Sequence, residues 1–381
     1  MSFFGFTKKC RDSYSLVFNI GSGSISGGII KFTEKAGVDM VYYQKESIPF
    51  QLEISIPKHL ELMKSTLDIL ANKIQSEGLK KLNLNTGKNI RISKVFYAFS
   101  SPWSISQTKT IRIKESKPFK VTDIYLNHII EEQEKQFQTD IAKNGKIIEN
   151  KIIQVKINDY VINDFNNKLA KNLELSVFLT VVPEEILQIV DDAVSKTFHL
   201  KDIYCHSSAL ATFSVIRNLF PQKEDFISID ISEEITDISV IKDNIITSNV
   251  SIPFGRNHFI RELSIVLNVS EEIADSMVNM HNTKDNDELA AMKLSVAMDK
   301  AAVNWFTKIL SVLDSLKEKI YVPESIFLIA NNDLANFLKD KLERHDFKVL
   351  LIDNKKIKSP VIVESVLFKL ILIFFDKLYK I

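Results

Sequence analysis

Glycine is scarce in this chain, with 10 residues in 381, and cysteine is scarcer, with only Cys10 and Cys205. Two cysteines so far apart exclude a disulfide framework and a cysteine-based zinc site, and they make a reducing compartment the default. The 7 histidines are scattered, with no pair at ligand spacing. Neither sign of charge is in excess: 49 Lys and Arg against 48 Asp and Glu leave a net charge of +1. Bulk electrostatics therefore gives no argument for a nucleic-acid partner. No run reaches the roughly 18 apolar residues that span a bilayer. The start of the chain places Phe3, Phe4 and Phe6 ahead of Lys8 and Lys9. That is the wrong order, and too short an apolar stretch, for a signal peptide. It reads as a frayed end or as a weak interfacial anchor. The rest of the composition, 45% hydrophobic and 25% charged, is that of a globular protein long enough for two or more domains.

The few glycines are concentrated. Gly21, Gly23, Gly27 and Gly28 fall in one short segment, where the backbone needs freedom or a close neighbour. That segment, residues 15–32, is an apolar strand ending in Asn19, a turn of small residues, and a second strand. Residues 226–241 repeat the design, with a strand ending in Asp230, the turn Ser232-Glu233-Glu234, and a strand carrying Thr236 and Asp237. Each is followed by the same four residues, Ser47–Phe50 and Ser251–Phe254. A repeated order of this kind marks an internal duplication. Two facing hairpin turns form a cleft that can grip a phosphate chain from both sides.

Elsewhere the periodicity predicts helices over 58–77, 121–138, 207–219, 258–267, 270–281 and 287–319, one running to about Leu342, and another starting at Pro183. Thr122 is the expected N-cap of the second. The segment Asn83–Asn89 reads as a loop. Strands are predicted over 95–99, 107–113, 151–157, 160–162, 173–182, 325–329 and 349–352. The apolar end at 366–378 is interrupted by Lys369, Asp376 and Lys377 and reads as a closing core helix rather than a membrane anchor. Alternating strands and helices around a duplicated core imply α/β architecture.

The two hairpins, the strand and turn at 325–342, and the ordered segments Leu179–Val182, Ser207–Leu210 and Ile252–Gly255 resemble the actin-like ATPase superfamily over nearly the whole chain. Within it the chain is similar to the FtsA and PilM families, with the stretch Lys151–Asp164 looking more like FtsA. The resemblance implies a duplicated actin-like, ribonuclease-H-like α/β fold of two domains around a cleft, with a small extra α+β subdomain inserted in the first. The expected boundaries are 12–90, 176–222 and a closing segment 353–381 for the first domain, 91–175 for the insertion, and 223–352 for the second domain.

The resemblance further implies an ATP and magnesium site, and the residues depart from it. Asn19 replaces the acid that holds magnesium through water, and a neutral amide is a poorer partner for a hard cation. Asp230 remains as the metal-linked acid. Gly21, Ser22, Gly23 and Ser24 occupy the first phosphate loop, and Asp230, Thr236 and Gly255 the second. Glu233 and Glu234 stand where a glycine-rich turn is expected, and like charges at about 4 Å cost on the order of 1 kcal/mol even in water. Asp275 matches the ribose acid, and Val278 replaces a lysine. Ala330, Asn331 and Asn332 replace the adenosine glycines. Each has a plainer reading: glycines permitting a tight hairpin, Asp230 forming a turn, Asn331 and Asn332 as turn residues, Thr236 as an ordinary strand residue. Arg256 is expected to neutralise a phosphate or one of the two glutamates, and Trp103 to sit at a loop tip, open to a partner.

Three functions follow. The favoured one is an FtsA-like scaffold or adaptor with a degenerate nucleotide site and weak or absent hydrolysis. It links a cytoskeletal assembly to the cytoplasmic face of the inner membrane in cell division. The second is an ATPase that polymerises on ATP. The third is a PilM-like platform for type IV pilus assembly that captures a short cytoplasmic peptide in a groove beside the extra subdomain. The expected partners are a second copy head to tail, the tail of a tubulin-like division protein or a membrane-protein peptide, with peripheral membrane contact and no nucleic acid.

Overall fold

A computed structural model describes residues 13–33, 37–141, 144–280, 288–357 and 361–379. The aromatic start of the chain and Cys10 lie outside the described residues.

The duplication seen in the sequence is a duplication of topology. In the first half, β1 (Ser13–Ile20), β2 (Ser24–Thr33) and β3 (Gly37–Ser47) form an antiparallel meander. Next come α1 (Ile56–Lys73), which continues through one wide turn, Ile74–Leu79, into α2 (Lys80–Thr86), and then β4 (Lys94–Phe99). The expected loop at Asn83–Asn89 is instead helical as far as Thr86. Gly87, in the left-handed conformation at φ 63°, ends the helix.

A separate sheet is built between β4 and the strand that follows it in the first sheet. It contains β5 (Ile105–Lys120), α3 (Asp123–Ile141), β6 (Gly145–Ile157), β7 (Tyr160–Val161) and β8 (Leu169–Pro183), in the order β5-β8-β6-β7. Thr122 Oγ1 accepts from the Tyr125 amide, as an N-cap should. α4 (Glu184–Ser195) then leads to β9 (Asp202–Ser207), a strand not expected from the sequence, and α5 (Ser208–Leu219). The first sheet has the order β3-β2-β1-β4-β9, with β4 parallel to both β1 and β9. β4 therefore belongs to this sheet and not to the inserted segment, and a boundary at 176 cuts through β8.

The second half repeats the plan with β10 (Phe226–Ile231), β11 (Thr236–Lys242), β12 (Ile245–Ile252), the helices α6 (Arg256–Leu267), α7 (Glu271–Met280) and α8 (Glu288–Lys317), then β13 (Ser325–Ile329), α9 (Asn332–Glu343), β14 (Lys348–Leu351) and α10 (Val366–Tyr379). Its sheet order is β12-β11-β10-β13-β14, the same as the first with each strand in the corresponding place. The register also corresponds: Asn19 pairs with Ser26 across the first hairpin, and Asp230 with Asp237 across the second.

The two sheets share one core. Val17 and Phe96 of the first and Phe226 and Phe327 of the second belong to a single buried cluster with Phe213 of α5 and Phe368 and Phe375 of α10. Burying each such side chain contributes about 1.5–3 kcal/mol. α10 is therefore the closing core helix that its sequence predicted. Among the described residues no helix is long and apolar enough to cross a membrane. The outer face of the first sheet packs on α1 and α4, and that of the second on α6, α8 and α9. This layering leaves the two hairpin turns, at the ends of β1 and β10, facing each other.

Candidate functional site: the cleft between the two hairpins

The hairpin tips touch. A Cβ added to Gly23 would lie 2.4 Å from Cβ of Glu233, so only glycine lets the turns approach this closely. Ser22 Oγ and Ser232 Oγ share a hydrogen bond of 2.7 Å. The Glu234 amide donates to Ser22 Oγ at 3.1 Å. Behind the first tip, Trp103 donates from Nε1 to the Gly21 carbonyl at 2.7 Å, and His59 Nε2 bonds the Ser22 carbonyl at 2.7 Å. The two rings stack at 5.4 Å. Trp103 is buried. The expectation of an exposed loop tip is corrected: its indole NH needs a buried acceptor, and a hairpin carbonyl supplies it.

The two glutamates go different ways. Glu233 reaches across to the first half of the molecule, where its Oε1 accepts from Ser24 Oγ at 2.9 Å and from Lys45 Nζ at 2.9 Å. Burial pushes its carboxyl up, but the Lys45 charge and the hydrogen bonds outweigh this and hold it below the usual carboxylate range. Glu234 turns into its own half. It accepts from Asn257 at 2.6 Å and pairs with Arg261 at 2.8 Å. Arg261 also donates to the Gln51 carbonyl at 2.8 Å and lies over the Phe50 ring at 4.9 Å. It thereby clasps the segment after β3 to the second half.

Asp230 lies beside the small space behind the tips, together with Asn19, Ser100 and Glu233. Burial, and then the negative charges of Asp237 and Glu233, push its carboxyl well above the usual range. The Asn19 amide accepts from Ser100 Oγ at 3.3 Å. Among the described residues no cluster of three or more His, Cys, Asp or Glu has the geometry of a metal site.

The remaining expected site residues divide. Gly21, Ser22, Gly23, Ser24 and Asp230 gather at the tips. Thr236 does not join them: it is fully buried, donating to the Phe254 carbonyl at 2.6 Å and accepting from Trp305 Nε1 at 3.1 Å. Gly255 permits another close approach, since a Cβ there would lie 2.5 Å from the carbonyls of Ser232 and Glu233. Those carbonyls accept from the amides of Arg256 and Asn257, at 2.9 and 2.7 Å. The first donors of α6, which in principle suit a phosphate, are thus satisfied by the neighbouring turn. Arg256 pairs with Asp275 and Asp333, both at 2.6 Å, and not with either glutamate of the turn. Asp275 is tied to that cation, and Val278 is core. Asn331 and Asn332 line an open chamber of about 950 Å³ with Gly23, Lys45, Asp275 and Asn279. Behind the tips only about 50 Å³ remains. Lys45, His59, Asn257 and Arg261 were missed from sequence; their only signal was that two glutamates in one turn need donors.

No protein-family profile and no curated protein sequence matches the chain. Among solved structures, the PilM–PilN type IV pilus biogenesis complex is similar at TM-score 0.61 and 13% identity, over 96% of this chain and 98% of that one. The chain has the actin-like fold. Two further actin-like structures align at lower scores. One is a Bacteroides thetaiotaomicron protein with an actin-like ATPase fold, at TM-score 0.49 and 9% identity over 95% and 96%. The other is the MamK double helical filament, at 0.47 and 9% over 97% and 100%. The likeness to the PilM–PilN complex is the one with weight, and it establishes the fold alone.

An actin-like cleft implies ATP with magnesium, and between the hairpin tips themselves the residues leave no room for its phosphates. The tips are in contact, the first donors of α6 are satisfied, Thr236 is buried, and the space behind the tips is about 50 Å³; the outer chamber of about 950 Å³, not this space, reaches the several hundred Å³ typical of ligand pockets. What the arrangement does chemically is join two halves through ion pairs and hydrogen bonds.

Proposed function

We propose that this protein is an actin-like scaffold whose cleft is held shut by its own side chains and which works by capturing a peptide of an assembly partner. The observation that carries the reading is the Glu233 carboxylate, bonded to Ser24 and Lys45 of the opposite half. A cleft latched in this way has no need of nucleotide to join its halves. A groove of about 530 Å³ beside the inserted sheet offers a peptide site. Tyr97, Phe99, Ile148, Leu187 and Ile203 give it an apolar floor, and Lys146, Gln188 and Asp191 supply polar groups at its edge. Because PilM is solved with PilN, the PilM-like reading is preferred to the FtsA-like one. The partner is then a short cytoplasmic segment of a pilus-assembly membrane protein, and the working location is the cytoplasmic face of the inner membrane. The division reading differs mainly in the partner, the tail of a tubulin-like protein.

The 950 Å³ chamber beside Asn331 and Asn332 favours a second reading, a nucleotide-binding ATPase that polymerises. Two titrations separate the readings. Calorimetry of the intact protein with magnesium-ATP is expected to give no binding, whereas micromolar, magnesium-dependent binding would favour the ATPase. Fluorescence anisotropy with labelled pilus and division peptides is expected to favour the pilus segment. Leu187→Glu should abolish that binding, and a preference for the division tail would restore the FtsA-like reading.

A further inference from the structure

The space behind the tips and the open chamber in front of them share three lining residues, Lys45, Glu233 and Asn331. The Glu233 side chain therefore stands as the partition between a 50 Å³ inner cavity and a 950 Å³ outer one. It is only 17% exposed, and the Lys45 side chain 34%. Both donors to Oε1 come from the first half, Ser24 at the start of β2 and Lys45 in β3, while the carboxylate comes from the second. A cation and a hydroxyl converging on one carboxylate oxygen form an anion-binding arrangement that is already filled. A Cβ on the facing glycine, Gly23, would lie 2.4 Å from Cβ and 3.3 Å from Cγ of Glu233, so glycine there is what admits the Glu233 side chain.

We infer that Glu233 is a resident anion: its carboxylate occupies a latent site for a phosphate-class oxyanion, made by Lys45 and Ser24, and keeps the inner cavity closed to such ligands. This rests on the latched-cleft reading above and states which atom group does the latching. Truncating Glu233 at Cβ joins the two cavities and releases both donors. Asp230, which lines the inner cavity, would repel a bare anion, so the appropriate ligand carries a divalent cation.

The test is calorimetric titration of full-length wild type, Glu233→Ala and Glu233→Ala with Lys45→Met, using magnesium pyrophosphate as the probe. Releasing a charge-assisted donor pair should raise affinity by roughly tenfold or more in Glu233→Ala, and Lys45→Met should remove the gain. No gain in a Glu233→Ala protein that melts cooperatively overturns the inference. So does a gain that survives Lys45→Met, because the ligand then sits elsewhere. If Glu233→Ala does not fold, Glu233→Ser is read by the same two criteria, since it too shortens the side chain past Cγ and removes the charge, while keeping a polar group in the gap. Peptide affinity at the groove beside β6 is measured on the same proteins. Failure of the pyrophosphate arm with wild type still refusing magnesium-ATP removes only this inference. Magnesium-ATP binding to wild type removes the functional reading instead.

Discussion

The two hairpins have the same strand order and the same register, yet opposite chemistry at their tips. The first, Gly21-Ser22-Gly23, is neutral and small. The second, Ser232-Glu233-Glu234, carries two charges. At matched positions behind them stand Asn19, bonded to Ser100, and Asp230, crowded by Asp237 and Glu233. The duplication supplies two equivalent turns aimed at one gap. The side chains decide whether that gap is left for a ligand or filled from within. Here the neutral tip supplies the space and the charged tip fills it. Each substitution below makes one tip more like the other, or removes what joins them.

The largest effect is expected from Arg261→Ala. It leaves the buried Glu234 carboxylate without its cation and frees Gln51. Breaking one side of a buried pair costs about 3–5 kcal/mol, and chemical denaturation should show a loss of that order. A loss under about 1 kcal/mol, the value of an exposed pair, would mean that the clasp between the halves lies elsewhere. Gly23→Ala comes next, because its Cβ meets Glu233 at 2.4 Å. Overpacking of this kind costs about 1–3 kcal/mol, and hydrogen exchange at both tips should rise together. Faster exchange at the first tip alone would show that the tips are not in contact.

Ser22→Ala removes the hydroxyl that accepts from the Glu234 amide and bonds Ser232. It should cost about 1–2 kcal/mol, and Ser232→Ala should cost less in that background than alone, since the shared bond is already gone and only the bond to the Ile235 carbonyl is lost. Full additivity of the pair would argue against that bond.

The smallest effect has the opposite sign. Asp230→Asn gives the second hairpin the amide of the first. The folded pKa of Asp230 is raised, so its charge costs stability at neutral pH. That cost is present above the folded pKa and disappears as pH falls below the unfolded value, about 3.9. Asp230→Asn should therefore stabilise at pH 7 and be neutral near pH 3. Glu233 behaves in reverse: its lowered pKa contributes stability above the unfolded value, and this is lost as pH falls through the folded one. Thermal melts from pH 3 to 8 on wild type and Asp230→Asn check the sign, and destabilisation at pH 7 would show that the charge is needed for the fold.

The elements that were legible in the sequence are those with strong local patterns. The four strands of the two hairpins, α5, α9 and α10 carry alternation or helical spacing that few other structures satisfy. β9 was missed because Asp202–Ser207 is short, mixed in polarity and a strand only by virtue of lying beside β4. α2 was missed because asparagines in 83–89 read as loop while the helix before them runs on to Gly87. The site was half legible. Glycine clustering located Gly21 and Gly23 at the cleft, and the duplicated pattern located Asp230. Thr236 and Arg256 were misplaced because their partners, Phe254, Trp305, Asp275 and Asp333, are brought to them only by folding.

By itself, the sequence determined that the chain is duplicated, that each half turns through a hairpin after its first strand, and that its end is core. Those properties rest on periodicity and residue type, which are local. Only the tertiary structure decided what the two glutamates do. Glu233 meets Ser24 and Lys45 across separations of 209 and 188 residues, and no local pattern encodes a contact at that range. A glutamate in a turn is equally compatible with solvent, a metal or a neighbouring cation. The shared core of α5 and α10 brings the tips together, and the cost of leaving a carboxylate unpaired in a closed gap directs it to Lys45.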